Sequence, residues 1–70
     1  MTMLPHQERV VEERAELEAK RDRLAEFFDT EVCADLDAAE KDRLTRQFAI
    51  MAEYSAVLGE RIAAFGVLCG

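Results

Sequence analysis

Gln47, Tyr54 and Arg61 recur at intervals of seven residues, so on a helix they line one edge. Each carries chemistry that a nucleotide-like anion would use. Arg61 offers a planar fork for a phosphate. Tyr54 offers a ring on which a base can stack, and Gln47 offers an amide with donors and an acceptor. Arg61 is also the only cation after Arg46. In the first half, Arg9 and Lys20 add positive charge beside an apolar seam, and His6 is the single histidine. A plainer reading stands beside this one. Tyr54 is then an interface aromatic, and Arg61 either snorkels at a packing edge or pairs with Glu60 or a carboxylate of the first helix.

Catalysis finds little support. His6 sits next to Pro5 at the start of a helix, without the positioned partner that proton transfer needs. No glycine precedes Gly59, which rules out a glycine-rich phosphate loop in the first 58 positions. Cys33 and Cys69 form no CxxC and stand near no histidine, so no metal cluster and no cofactor are expected. The many carboxylates are interleaved with Arg14, Lys20, Arg21 and Arg23, the pattern of a solvated helix face. The expectation is a binding protein rather than an enzyme.

The elements that must position these groups are helices. Ala, Glu, Leu, Arg and Lys dominate, and all favour helix. Pro5 suits a first helical turn, where its missing N–H costs nothing. A first helix is predicted over about 5–29. Its seam is Val10, Leu17 and Leu24, with Glu13, Lys20 and Phe27 in the alternate slots. A turn follows over 30–37, where Asp37 and Glu40 have the form of a capping box. A second helix is predicted over about 38–66. Leu44, Phe48, Met51, Ser55, Leu58, Ile62 and Phe65 alternate steps of four and three, a sustained heptad seam. Beside it runs a stripe of small residues, Thr45, Ala49, Ala52, Ala56, Gly59, Ala63 and Gly66, which lets another backbone approach closely. A third stripe, Gln47, Ile50, Tyr54, Val57, Arg61 and Ala64, flanks the other side. A helix apolar nearly all round is buried.

The sequence thus predicts an all-α, antiparallel two-helix hairpin spanning 1–70 as a single domain. The first helix is too polar to cover every apolar face of the second. A chain of 70 residues buries only about 60% of its unfolded surface. Copies of the chain must supply the missing cover, so a homo-oligomeric helical bundle is expected, with Phe48, Met51, Leu58, Ile62 and Phe65 at the interface between chains. Closed symmetry is the default, and a hexamer is one such arrangement. Net charge is −6, which argues against DNA as a partner. No apolar run of 18 residues suggests a membrane span. No signal peptide opens the chain. Cys33 at the turn and Cys69 at a far helix end would lie on the order of 40 Å apart, beyond disulfide reach. Two free thiols fit a reducing cytoplasm.

At this point the residues carry a resemblance. The run from His6 to Glu12, then Glu16-Leu17, Lys20, Leu24 and Phe27-Phe28, resembles the first helix of a widespread phage and prophage family of very short helical hairpins, the crAss-like-phage-related proteins. Leu44, Gln47, Met51, Tyr54-Ser55, Leu58 and Arg61-Ile62 are similar to that family's second helix. The likeness covers Pro5 to Phe65. It implies an anti-defence role in the host cytoplasm during infection. Small phage hairpin oligomers of this general kind include sponges, which sequester the cyclic nucleotide signals of CBASS and, in some cases, Thoeris immunity without cleaving them. Their ligands lie between protomers, among cationic and aromatic side chains. A cyclic di- or trinucleotide is thus the implied ligand, and His6, Arg9, Lys20, Gln47, Tyr54 and Arg61 are the positions open to it. The best-known anti-CBASS sponge motif, a tyrosine near the start and an Ile-Lys pair, is not matched: Lys20 precedes Arg21 and Asp22. Other readings remain: a helical module that inhibits or regulates a host or phage protein through a helix-in-groove contact, or a structural virion piece.

Overall fold

A computed structural model describes residues 4–69, with side chains through Phe65. The Cys69 thiol and the Gly66 end of the small-residue stripe lie outside the described side chains. Every element among the described residues is a helix: α1 (Pro5–Phe28), α2 (Glu31–Ala34) and α3 (Ala38–Cys69). The turn therefore contains a short helix that the sequence reading did not foresee, and α3 runs on past residue 66.

Local hydrogen bonds explain where each helix begins and ends. At the start of α1, the Leu4 N–H donates to Gln7 Oε1 at 3.0 Å, which satisfies a donor that the helix leaves free. At its end, Thr30 serves two helices. Its hydroxyl donates to the Phe27 carbonyl at 2.7 Å, and its oxygen accepts the Cys33 N–H at 3.2 Å, capping α2. At the start of α3, Asp37 Oδ1 accepts the Glu40 N–H at 2.7 Å. The reciprocal half of the expected capping box is absent. The Glu40 carboxylate instead takes the Arg43 Nε at 2.8 Å, because an arginine three residues on offers a charged donor that the Asp37 N–H does not match.

α1 and α3 pack along each other. The start of α1 meets the end of α3, where the His6 ring stands edge-on to Phe65. Midway, Arg14 reaches Ser55. The end of α1 meets the start of α3, where Phe28 packs edge-on against Phe48 with ring centres 5.5 Å apart. The result is a rod of 50 × 15 × 15 Å. Its core is a single file: Val10, Leu17 and Leu58 are buried, with Met51, Ile62 and Phe65 packed against them.

The inward row of α1 differs in phase from the expectation. Glu13 and Lys20 are exposed. The slots between Val10, Leu17 and Leu24 are filled by Gln7, Arg14, Arg21 and Phe28, all buried or half-buried. Gln7-Val10-Arg14-Leu17-Arg21-Leu24-Phe28 alternates steps of three and four, the same rhythm as the α3 seam. The partner slots lie four residues after each apolar anchor, not three. Polar groups thus sit inside the seam, where Ser55, 3% exposed, faces Arg14.

Candidate functional site

The six side chains singled out in the sequence, His6, Arg9, Lys20, Gln47, Tyr54 and Arg61, are all exposed. At about 100° per residue, His6, Arg9 and Lys20 leave α1 on one flank of its inward row. Gln47, Tyr54 and Arg61 leave α3 on the same side of the helix pair, the side on which His6 meets Phe65. The register set by Arg14 and Ser55 brings Arg9 level with Arg61, and Lys20 level with the span from Gln47 to Tyr54. Phase and register thus gather all six on one face. They do not close a pocket within the chain. No hydrogen bond or ion pair among the described residues joins any two of them. Gln47 lines an open hollow of about 300 Å³ with Arg43, Arg46, Ile50 and Met51.

The ion pairs among the described residues are Glu18–Arg21 at 3.5 Å, Glu40–Arg43 at 2.8 Å and Asp42–Arg46 at 3.2 Å. Among the described residues Arg61 makes no ion pair with Glu60 or with a carboxylate of α1. Arg9, Lys20 and Arg61 stand as free cations among the described residues.

Of the five residues expected between chains, Leu58 is only 1% exposed and belongs to the chain's own core, with Met51, Ile62 and Phe65 against it. Phe48 packs on Phe28 and under Arg21. These side chains build the seam between α1 and α3, and what they leave to a second chain is their exposed edges. Among the described residues, the large apolar groups left outside on α3 are instead Ile50, Tyr54 and Val57.

Two arginines that the sequence reading did not select lie in the seam. Arg21 places its guanidinium carbon 4.8 Å from the centre of the Phe48 ring, a cation–π geometry. Its Nε is buried without a hydrogen-bond partner. Arg14 lines the larger cleft, about 440 Å³, with Val11, Ala15, Glu18 and Ile62. The signal that finds both was present: Gln7, Arg14, Arg21 and Phe28 stand seven apart. Reading the heptad in steps of three from Val10 hid it.

A family model described as Sequestin matches residues 4–64. The chain belongs to the Sequestin family. The match spans α1, α2 and α3 as far as Ala64, so it takes in both clefts and all six exposed candidates. No curated protein and no solved structure matches the chain. The Sequestin name points to a binding role, one of holding a target rather than transforming it. Among the described residues no three His, Cys, Asp or Glu side chains are grouped to hold a metal ion. No described helix is long and apolar enough to cross a membrane.

Proposed function

We propose that this Sequestin-family chain is a phage-type anti-defence sponge. It binds cyclic oligonucleotide immune signals stoichiometrically and does not cleave them. The antiparallel helical hairpin is the repeating unit of a closed homo-oligomer in the host cytoplasm, and the ligand lodges between protomers. The observation that carries this reading is the family match over residues 4–64. The surface supports it. Arg9, Lys20 and Arg61 share one face with Tyr54 and Gln47, and none of the three cations has an acid partner among the described residues. A cyclic dinucleotide is a compact dianion with two flat bases. Guanidinium forks suit its phosphates, and a tyrosine ring suits a base. The net charge of −6 is no obstacle, since charges beyond about 8–10 Å are screened by salt.

Isothermal titration against cyclic dinucleotides, cyclic trinucleotides and cyclic ADP-ribose variants tests the reading. Tight binding to one of them is expected, with the ligand recovered intact after heat denaturation. No heat with any of them, or recovery of a cleaved product, would overturn it. Light scattering on the protein alone separates this from a helical module that binds a foreign protein: a sponge is a defined oligomer by itself, whereas the module is monomeric or aggregated without its partner.

A further inference from the structure

We infer that Arg14 is the group that holds a phosphate of the ligand, in the cleft it forms with Val11, Ala15 and Ile62. This rests on the sequestering reading and adds to it an anion contact on the flank of the helix pair opposite His6, Tyr54 and Arg61.

Arg14 is half-buried in the seam. Its Nε donates to Ser55 Oγ at 3.4 Å, a long bond to a neutral acceptor. It makes no ion pair among the described residues. Glu18, the one carboxylate in the cleft wall, is engaged by Arg21 at 3.5 Å. A half-buried guanidinium without a counter-charge loses hydration and gains little in return. An anion delivered to the cleft repairs that deficit.

The pose is suited to the task. A methyl group added at Gly59 would lie 3.0 Å from Arg14 Cζ, 3.0 Å from Nη2 and 3.3 Å from Nη1. Three guanidinium atoms at nearly one distance mean that the group lies flat over the bare Gly59 backbone. With Nε turned to the buried Ser55, the Nη1 and Nη2 hydrogens have no hydrogen-bond partner among the described residues. They form the fork that grips a phosphate through two bonds. Val11, Ala15 and Ile62 supply an apolar wall beside it. The hollow is about 440 Å³ and open to solvent along one side. Arg21, one heptad along, differs: it is stacked on Phe48 and paired with Glu18.

The test is titration calorimetry of the intact oligomer with cyclic di-AMP, cyclic tri-AMP and cyclic ADP-ribose, comparing wild type with R14Q, R14K and G59A. R14Q is expected to weaken binding roughly 10- to 100-fold, the worth of a charged hydrogen bond. R14K is expected to recover only part of that, because an ammonium lacks the fork. G59A separates a binding role from a structural one. Its methyl group makes the guanidinium give way by a few tenths of an ångström while improving helix propensity, so the melting temperature should hold or rise as affinity falls modestly. Circular dichroism and sedimentation of each variant confirm that fold and assembly are kept. If wild type binds one of the three probes and both R14Q and G59A bind it within twofold, the Arg14 assignment is wrong and the sequestering reading stands. If wild type binds none of the three and no other cyclic di- or trinucleotide or cyclic ADP-ribose variant, the assignment falls together with the reading beneath it.

Discussion

At the residue scale, two arginines of identical type and phase do opposite work. Arg14 keeps its outer N–H groups toward a cleft, while Arg21 spends its charge inside the chain, on the Phe48 ring and on Glu18. The balance at Arg21 is close. Cation–π contact and an ion pair at a one-third exposed site contribute on the order of 1 kcal/mol each. A buried N–H without a partner costs about 1–3 kcal/mol. Arg21→Met keeps the unbranched stem as far as the Nε position, and removes the charge over Phe48 together with the unpaired donor. It is therefore expected to leave stability unchanged or to raise it by up to about 1 kcal/mol, measured by urea unfolding. A loss of more than about 1 kcal/mol would show that the cation–ring contact outweighs the orphaned Nε.

At the element scale, helix termini decide where the chain turns. Thr30 closes α1 and opens α2 with a single hydroxyl, and Asp37 opens α3. Because the Glu40 side chain serves Arg43 and not Asp37, the two residues of the apparent box are unequal. Asp37→Ala is expected to cost about 1 kcal/mol. Glu40→Ala removes only an exposed ion pair three residues apart, worth a few tenths of a kcal/mol. Denaturant midpoints of the two variants check the ratio, and equal losses would mean that the reciprocal bond forms in solution. The same local chemistry explains what could be read from sequence. Helix formers, Pro5 and the unbroken rhythm from Leu44 to Phe65 made an all-helical chain legible, because backbone propensity and hydrophobic period are local properties. The one-turn helix α2 was not legible, since four residues carry no period and depend on Thr30 bridging two elements. The inward row of α1 was misread because its alternate slots are polar. A hydrophobic count passes over Gln7, Arg14 and Arg21, and only their spacing of seven, continued by Phe28, marks them as facing α3. The seam cation at Arg14 was hidden for the same reason, while Gln47, Tyr54 and Arg61 were easy to see because α3 has so few other polar groups.

At the scale of the whole molecule, the helix pair leaves a debt of exposed apolar surface. A rod 15 Å thick has room for one file of core side chains. On its outside, Ile50 is 63%, Val57 51% and Tyr54 43% exposed. These three alternate steps of four and three on α3, so they form a second seam with no second helix from the same chain to fill it. Burying each such side chain stabilises by about 1.5–3 kcal/mol, a large share of the total for a domain of this size. The apolar stripe suits another copy of α3 running the opposite way. Arg43 and Arg46 precede the stripe, and Glu53 and Glu60 lie within and beyond it. If Ile50 meets Val57 of a second chain, Arg46 comes level with that chain's Arg61 and one residue from its Glu60, and the contact repeats on the other side of the two-fold axis. The wild-type melting temperature should therefore rise with protein concentration, because the assembled state alone is helped by mass action. Ile50→Lys combined with Val57→Lys should abolish that dependence and leave a slower-sedimenting, less stable species, while Ala56→Lys, on the flank of small residues, should not. Sedimentation velocity between micromolar and hundred-micromolar protein reads all three. A wild-type chain that sediments as a stable monomer throughout would mean that the Ile50–Val57 stripe tolerates water, and the inter-subunit pockets would lose their physical basis.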